Sequence, residues 1–348
     1  MTAPMLDNRS PQRFYLLDNA GCLGILLVLP AVVYIVLLVG IPFILSIGYS
    51  FSDVTIADQS FDFVGLKTYE RVIDNPVFKT ALENNFRFTI VSQVLVTILS
   101  IILATALAQK FPGKWLFRFL ILLPWVTPIA IGTIGWLYML DTIYSPIDYV
   151  LREVGFLANV EDKGEFVRDL TDELQSIGLV KDDTALKLNC QQRGARKVCF
   201  FNMQWLAQSN TSLGSIILVH VWRMLPLSTI IILAGLTSIP QDVKDAVAVD
   251  GVGFLREFFE VTLPLISPIV GIATLFGLIF TFTDVAVVAV LTKGGPSQST
   301  QVLPYWAYLK GIEGTNLAEG AAIALFMFPV LLAVAALVLT SLRRREVT

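Results

Sequence analysis

The sequence predicts an all-α polytopic membrane protein with six spans, on three observations. Hydrophobic residues make up 55% of the 348 and charged residues only 15%, against about a quarter charged in soluble domains. A lipid-facing surface accounts for that deficit where a single buried core does not. Six apolar runs, near 22–47, 86–109, 118–140, 212–238, 264–291 and 319–342, are each long enough to cross a bilayer as a helix. Lysine and arginine are also distributed unevenly between alternate loops. Backbone groups in lipid need internal partners, so these runs read as helices.

The first run follows an N-terminal segment, residues 1–21, that carries Arg9 and Arg13. A charged segment before an apolar run resembles a signal peptide. This run continues to Ile47 with no small-residue cleavage site, so it reads as an uncleaved span. Pro30, Pro42, Pro124, Pro128, Pro226 and Pro329 interrupt several runs, which membrane helices tolerate when neighbours satisfy the freed carbonyls. With the N-terminus cytoplasmic, the inner segments hold Arg9, Arg13, Lys110, Lys114, Arg118, Lys244, Arg256, Arg343, Arg344 and Arg345. The two short outer loops hold Lys67, Arg71, Lys79, Lys293 and Lys310. That bias places both termini inside, with residues 343–348 as a cytoplasmic tail.

Between the third and fourth runs lies a polar stretch too long for a simple connection. Residues 145–205 read as an extracytoplasmic insertion, with Leu151, Val154, Phe166, Leu170, Leu174 and Ile177 at spacings suited to helical stripes. Cys190 and Cys199 lie in it. An outer compartment permits a disulfide, and sequence alone leaves a bridge and two free thiols both open. Cys22, at a span edge, reads as a small apolar filler.

Several classes are excluded. No basic run suggests nucleic acid, and a single histidine, His220, rules out a histidine-rich metal site. His220 reads as an interfacial, structural residue.

The loop between the fourth and fifth runs, residues 239–262, carries the most information. Pro240 starts a helix, and apolar spacing continues it from Gln241 to Val249. Gly251 and Gly253 end it, and a second short helix runs toward Leu263-Pro264. Small Ala246 and Ala248, flanked by Asp245 and Asp250, offer close approach and charged acceptors to a partner groove. The bland alternative is an amphipathic helix resting on lipid. That alternative favours lysine and arginine on the polar face, which here is mainly acidic.

At these residues the chain resembles the permease subunits of binding-protein-dependent ABC importers. Their loop signature is an acid, two small residues, three more residues and a glycine, then an aliphatic residue, any residue and Leu-Pro. It stands here as Asp245-Ala246-Val247, Gly251 and Val261-Thr262-Leu263-Pro264. Asp245 occupies a position where glutamate is commoner, and Val247 replaces the second alanine. Asp62-Phe63-Val64-Gly65-Leu66-Lys67-Thr68-Tyr69, Leu123-Pro124-Trp125-Val126-Thr127-Pro128, Leu233-Ala234-Gly235-Leu236 and Leu291-Thr292-Lys293-Gly294-Gly295-Pro296, with Thr300, are similar to elements of the carbohydrate-uptake, maltose-permease-like branch. The resemblance covers about residues 20–342 except 145–205.

The resemblance implies a type I ABC importer permease fold in a bacterial or archaeal cytoplasmic membrane. It implies three kinds of partner: a second homologous permease, two ATP-binding subunits and an extracytoplasmic solute-binding protein. ATPase coupling falls to Asp245, Ala246, Val247, Asp250, Gly251, Leu263 and Pro264. The solute class implied is a sugar, oligosaccharide, polyol or related glycoside. The chain is thus expected to be a transport subunit and not an enzyme.

No Gly-x-x-x-x-Gly-Lys-Ser/Thr occurs in the chain. The fragment Phe111-Pro112-Gly113-Lys114 lacks the first glycine and the hydroxyl residue. No cofactor is therefore expected on this chain, and ATP and Mg are expected on the partner ATPases. Polar residues within spans are pathway candidates. They are Gln93, Tyr138, Trp222, Arg223, Thr281, Thr283 and Asp284. Aromatic faces suit sugar C–H surfaces and polar groups suit hydroxyls, while interhelical bonding is the structural alternative. Arg223 and Asp284 are also a candidate ion pair. The alternative function, an ion-coupled secondary transporter, predicts an intramembrane carboxylate network and inverted repeats. Asp284 is the one clear mid-span acid, and no repeat is visible.

Overall fold

The computed structural model describes residues 20–154, 186–193 and 196–346. Five of its helices are long and apolar enough to cross a membrane, and a bent pair makes a sixth candidate. The first span is α1 (Ala20–Ile35), a π turn (Val36–Gly40) and α2 (Ile41–Ser50) in one run. None of its most apolar 18-residue window is buried, as expected of a helix hydrophobic on every side in lipid. After α3 (Lys67–Asp74), the second span, α4 (Pro76–Ala108), starts where sequence chemistry dictates. Asn75 accepts the Val77 N–H at 3.0 Å and Pro76 occupies the first turn.

The third run, expected as one span interrupted by Pro124 and Pro128, is sharply bent. It forms α5 (Lys114–Val126) and α6 (Ile129–Met139), bent by 95°. The cause lies at Thr127-Pro128. Thr127 is extended, with ψ 130°, the region that a residue before proline prefers.

The insertion begins with α7 (Pro146–Glu153), which contains Leu151 and ends at Val154. Phe166, Leu170, Leu174 and Ile177 lie outside the described residues. β1 (Leu186–Arg193) and β2 (Arg196–Met203) pair antiparallel, with Cys190 and Cys199 as register partners. The all-α expectation thus holds for the spans but not for this hairpin.

The fourth span, α8 (Ser209–Ser238), is followed by α9 (Gln241–Val249), α10 (Phe254–Glu257), a π turn (Phe258–Thr262) and α11 (Leu263–Phe282). The expected short second loop helix is in fact the start of the fifth span, which runs unbroken from Phe254 to Phe282 over 29 residues. The fifth run also ends earlier than the expected residue 291. A break at Thr283–Val285 separates α12 (Ala286–Leu291). After α13 (Leu303–Tyr308) and a π turn (Leu309–Glu313), α14 (Leu317–Glu346) is the sixth span. It carries Arg343 to Arg345 within the helix, not in a separate tail.

The second, fourth and fifth spans form the centre. At one end Phe88, Ile216, Val219, Val287 and Val288 build the core. At the other, Ala104, Leu107, Ile232, Leu233 and Ile266 do so. Small residues let the helices approach. A Cβ on Gly235 would lie 2.8 Å from Ile269 Cδ1, and one on Gly277 would lie 2.2 Å from Gln93 Oε1. The first span stands outside, mainly against the sixth, with Phe43 and Phe328 ring centroids 5.4 Å apart.

Candidate functional site

Two regions carry the candidate residues. The first is the loop helix α9. The Gln241 side-chain N–H₂ donates to Asp245 at 2.8 Å, one turn along. Gly251 follows with φ +65°. No atom lies within 4 Å of a Cβ placed there, so the glycine is required by its left-handed backbone and not by space. The helix has two distinct faces. Gln241, Val243, Lys244 and Val247 line a cavity of about 600 Å³, shared with Lys110 and Phe258. The opposite face carries Asp242, Asp245, Ala246 and Val249, all exposed. Val249 is 86% exposed, a bare apolar side chain among acids. Of the expected coupling residues, Asp245, Ala246 and Asp250 are exposed, whereas Val247 turns to the cavity. Leu263 and Pro264 open α11.

The second region joins the middle of the fourth span to the end of the fifth. Arg223 Nη1 donates to Asp284 Oδ2 at 2.7 Å, so the candidate ion pair forms. Asp284 Oδ1 accepts the Val287 N–H at 3.0 Å and caps the start of α12. His220 joins them: its Nδ1 is 3.3 Å from Asp284 Oδ2 and its Nε2 is 2.9 Å from Thr281 Oγ1. The Thr281 hydroxyl donates to the Gly277 carbonyl at 2.7 Å, so it receives from His220 Nε2. His220 is fully buried, edge-on to Phe88 at 4.9 Å. The interfacial reading of this residue is therefore wrong. A histidine in an apolar run carries no signal of depth until its partners on another helix are known.

The pathway candidates divide by burial. Gln93 is buried, lies over Gly277 and donates to Thr97 at 3.2 Å. Thr281 is also buried. Both tie helices together and present no open surface. Asp284, with its side chain 4% exposed, holds Arg223. Trp222, Arg223, Thr283 and Tyr138 keep accessible surface. Trp222 meets Trp136 edge to face at 5.6 Å, beside the bent third span. Trp125 meets Phe280 at 6.1 Å. This leaves accessible surface on Trp222 and Arg223 of the fourth span, on Tyr138 of the bent third span and on Thr283 at the end of the fifth.

Sequence reasoning missed one polar centre. Asp148 is fully buried and accepts from Trp205 Nε1 at 2.8 Å and the Met203 N–H at 3.0 Å. Arg152 donates to Asn202 at 2.7 Å alongside. These bonds fasten the base of the insertion to the lead-in of the fourth span. Burial pushes the Asp148 carboxyl above the usual carboxylate range, against the opposing pull of the Trp205 and Met203 donors. The signal was present as Ser145-Pro146-x-Asp148, a helix-capping spacing. Ser145 indeed caps α7, accepting the Asp148 N–H at 3.1 Å.

Comparison with known proteins fits this geometry. Residues 96–346 match the family described as binding-protein-dependent transport system inner membrane component. A sulfoquinovosyl glycerol transport system permease of Agrobacterium fabrum is 24% identical over 325 residues, covering 93% of this chain and 91% of the relative. A trehalose/maltose transport system permease of Thermococcus litoralis is 26% identical over 314 residues, covering 89% and 90%. A chain in the crystal structure of a bacterial alginate ABC transporter, solved with its alginate pentasaccharide-bound periplasmic protein, superposes with TM-score 0.70. It is 16% identical, over 92% of this chain and 94% of that one. With the family matched over most of its length, the chain is a membrane-spanning permease subunit of an ATP-driven importer, not an enzyme, and belongs to the binding-protein-dependent transport system inner membrane components.

Proposed function

We propose that this chain forms half of a pathway for a sugar, oligosaccharide, polyol or related glycoside, delivered by an extracytoplasmic solute-binding protein. A second, homologous permease supplies the other half. Two ATPase subunits, which carry the ATP and Mg, dock on the inner face, and one of them receives α9. Both termini lie inside, and the 145–205 insertion lies outside. The relatives that transport trehalose/maltose and sulfoquinovosyl glycerol support the solute class.

One observation supports the docking most: the exposed face of α9, where Val249 stands bare among Asp242, Asp245 and Asp250. An exposed apolar side chain ringed by acids suits the desolvated centre of a partner groove with a charged rim. Asp245 and Ala246 lie on that same side, and Gly251 turns the chain back toward the fifth span. Nothing favours the ion-coupled alternative, since Asp284 is already engaged by Arg223, His220 and Val287.

The test is a pull-down of the tagged chain from native membranes in mild detergent, read by mass spectrometry. A second permease and an ATPase accompany the wild type, and Val249→Asp loses the ATPase while keeping the permease. A folded chain that repeatedly comes down alone refutes the reading. A Val249→Asp variant with undiminished ATPase refutes the docking face.

A further inference from the structure

Arg223 is midway along Ser209–Ser238, and its side chain is 23% exposed. A guanidinium within the spans does not face hydrocarbon, because charge inside a membrane is expensive and turns toward the bundle interior or a water-filled cavity. Its accessible part therefore opens on water between the helices.

The pair it belongs to has a direction. The Asp284 side chain is 4% exposed and sits behind, with one oxygen on Arg223 and the other on the Val287 N–H. His220, wholly buried, has its Nδ1 3.3 Å from the same Asp284 oxygen that Arg223 holds, and its Nε2 is held by Thr281. The negative pole is enclosed and the positive pole is presented. Beside it are Trp222, on the same helix, and Thr283, one residue before Asp284. Neither is acidic. One Nη of Arg223 is spent on Asp284, which leaves donors in a planar fork suited to a carboxylate, sulfonate or phosphate.

We propose that Arg223 presents a positive pole to the solute pathway at mid-span and that the solute carries an acidic group, a reading that rests on the importer role proposed above. Asp284 is then a positioning residue: it fixes the guanidinium and does not touch the solute.

The test uses the reconstituted complex in proteoliposomes with its loaded binding protein. Its background has Cys22, Cys190 and Cys199 replaced by serine, with uptake retained. A wild-type complex whose ATPase is not stimulated by the loaded binding protein would sink the importer role itself, before Arg223 is at issue. Given stimulation, Arg223→Cys lowers uptake by roughly tenfold to a hundredfold, the scale of a lost hydrogen bond to a charged group. An aminoethyl methanethiosulfonate restores most of it, while the sulfonatoethyl and hydroxyethyl reagents label the site without rescue. Thr281→Cys stays unlabelled. An assembled Arg223→Cys complex that does not react overturns the pathway exposure. Equal rescue by the hydroxyethyl reagent overturns the role of charge.

Should Arg223→Cys fail to assemble, Arg223→Lys and Arg223→Gln decide. Lysine keeps the apparent KM within a few-fold and glutamine raises it, whereas equal KM values overturn the proposal. Asp284→Asn raises KM less than Arg223→Gln, and a larger effect there places the contact on Asp284 instead. For the solute, thermal shift of the binding protein is read with a uronic acid disaccharide, a phosphoglycerol and maltose. Stabilisation by an acidic member is expected, and stabilisation by maltose alone overturns the acidic class.

Discussion

Gly277 and Gln93 show how a polar residue in a span can be structural. The Gln93 amide lies where a Cβ on Gly277 would be, 2.2 Å from Oε1. Gly277→Ala therefore displaces the Gln93 amide or parts the second and fifth spans, the latter at a cost of about 1–3 kcal/mol. A lower midpoint for thermal loss of the monodisperse peak in detergent is the expected result; an unchanged midpoint would show that Gln93 swings away freely. Asp148 gives a pH-dependent counterpart. Its carboxyl is raised in the folded protein, so the stability it contributes is fully present below the unfolded carboxylate range. That contribution is lost as pH rises through the folded value. The melting midpoint of the wild type relative to Asp148→Asn, followed by Trp205 fluorescence, should rise as pH falls through that window. A difference that shrinks on acidification would contradict the burial argument. Neither site was legible in full. Gln93 stands out in sequence as a polar interruption, but its partner Gly277 is 184 positions away. His220 was misplaced for the same reason, since Asp284 and Thr281 fix its depth from another helix.

At the scale of elements, the long spans were legible because the length of an apolar run is a direct consequence of bilayer thickness. The breaks were less so. The third run contains both Pro124 and Pro128, yet α5 passes through Pro124 and bends only at Thr127-Pro128. Two prolines look alike in sequence, and the packing of Trp125 on Phe280 and of Trp136 on Trp222 accompanies the choice between them. The loop helix was legible because Pro240 and Gly251 punctuate it, but its two faces were not, and the signature alone does not tell that Val247 turns to the cavity while Asp245 and Ala246 are exposed. The β hairpin gave little signal, although its register answers the cysteine question in one respect. Cys190 and Cys199 are directly opposed, and opposed residues in an antiparallel pair have Cα atoms about 4.5–5.5 Å apart, within the range of a disulfide. Protein purified without reductant should resist alkylation at both cysteines until it is reduced, as read by intact mass. Alkylation of both without reduction would leave two free thiols.

At the scale of the whole molecule, the second, fourth and fifth spans form a packed centre and the remaining elements attach to it in different degrees. The insertion is fastened at its base by Asp148, Arg152 and Asn202. On the topology proposed above, this tethered unit is the part that meets the solute-binding protein. Replacing residues 155–201 by a short glycine-serine linker, which leaves that base intact, should weaken binding-protein association while the ATPase still co-purifies. Undiminished association would remove the insertion from that interface. The overall architecture was the most legible level of all, because composition and six apolar runs constrain it before any contact is known.

The unbroken fifth span has a mechanical consequence. Twenty-nine residues from Phe254 to Phe282 make a rod about 43 Å long, softened only by a π turn and Pro268. One end leaves the Gly251 turn and the other stops two residues short of Asp284. A stroke delivered to α9 therefore arrives, as a push or a twist, at the joint where Asp284 grips Arg223. The rod is one stiff part, and the grip on Arg223 is where its motion is either taken up or passed on.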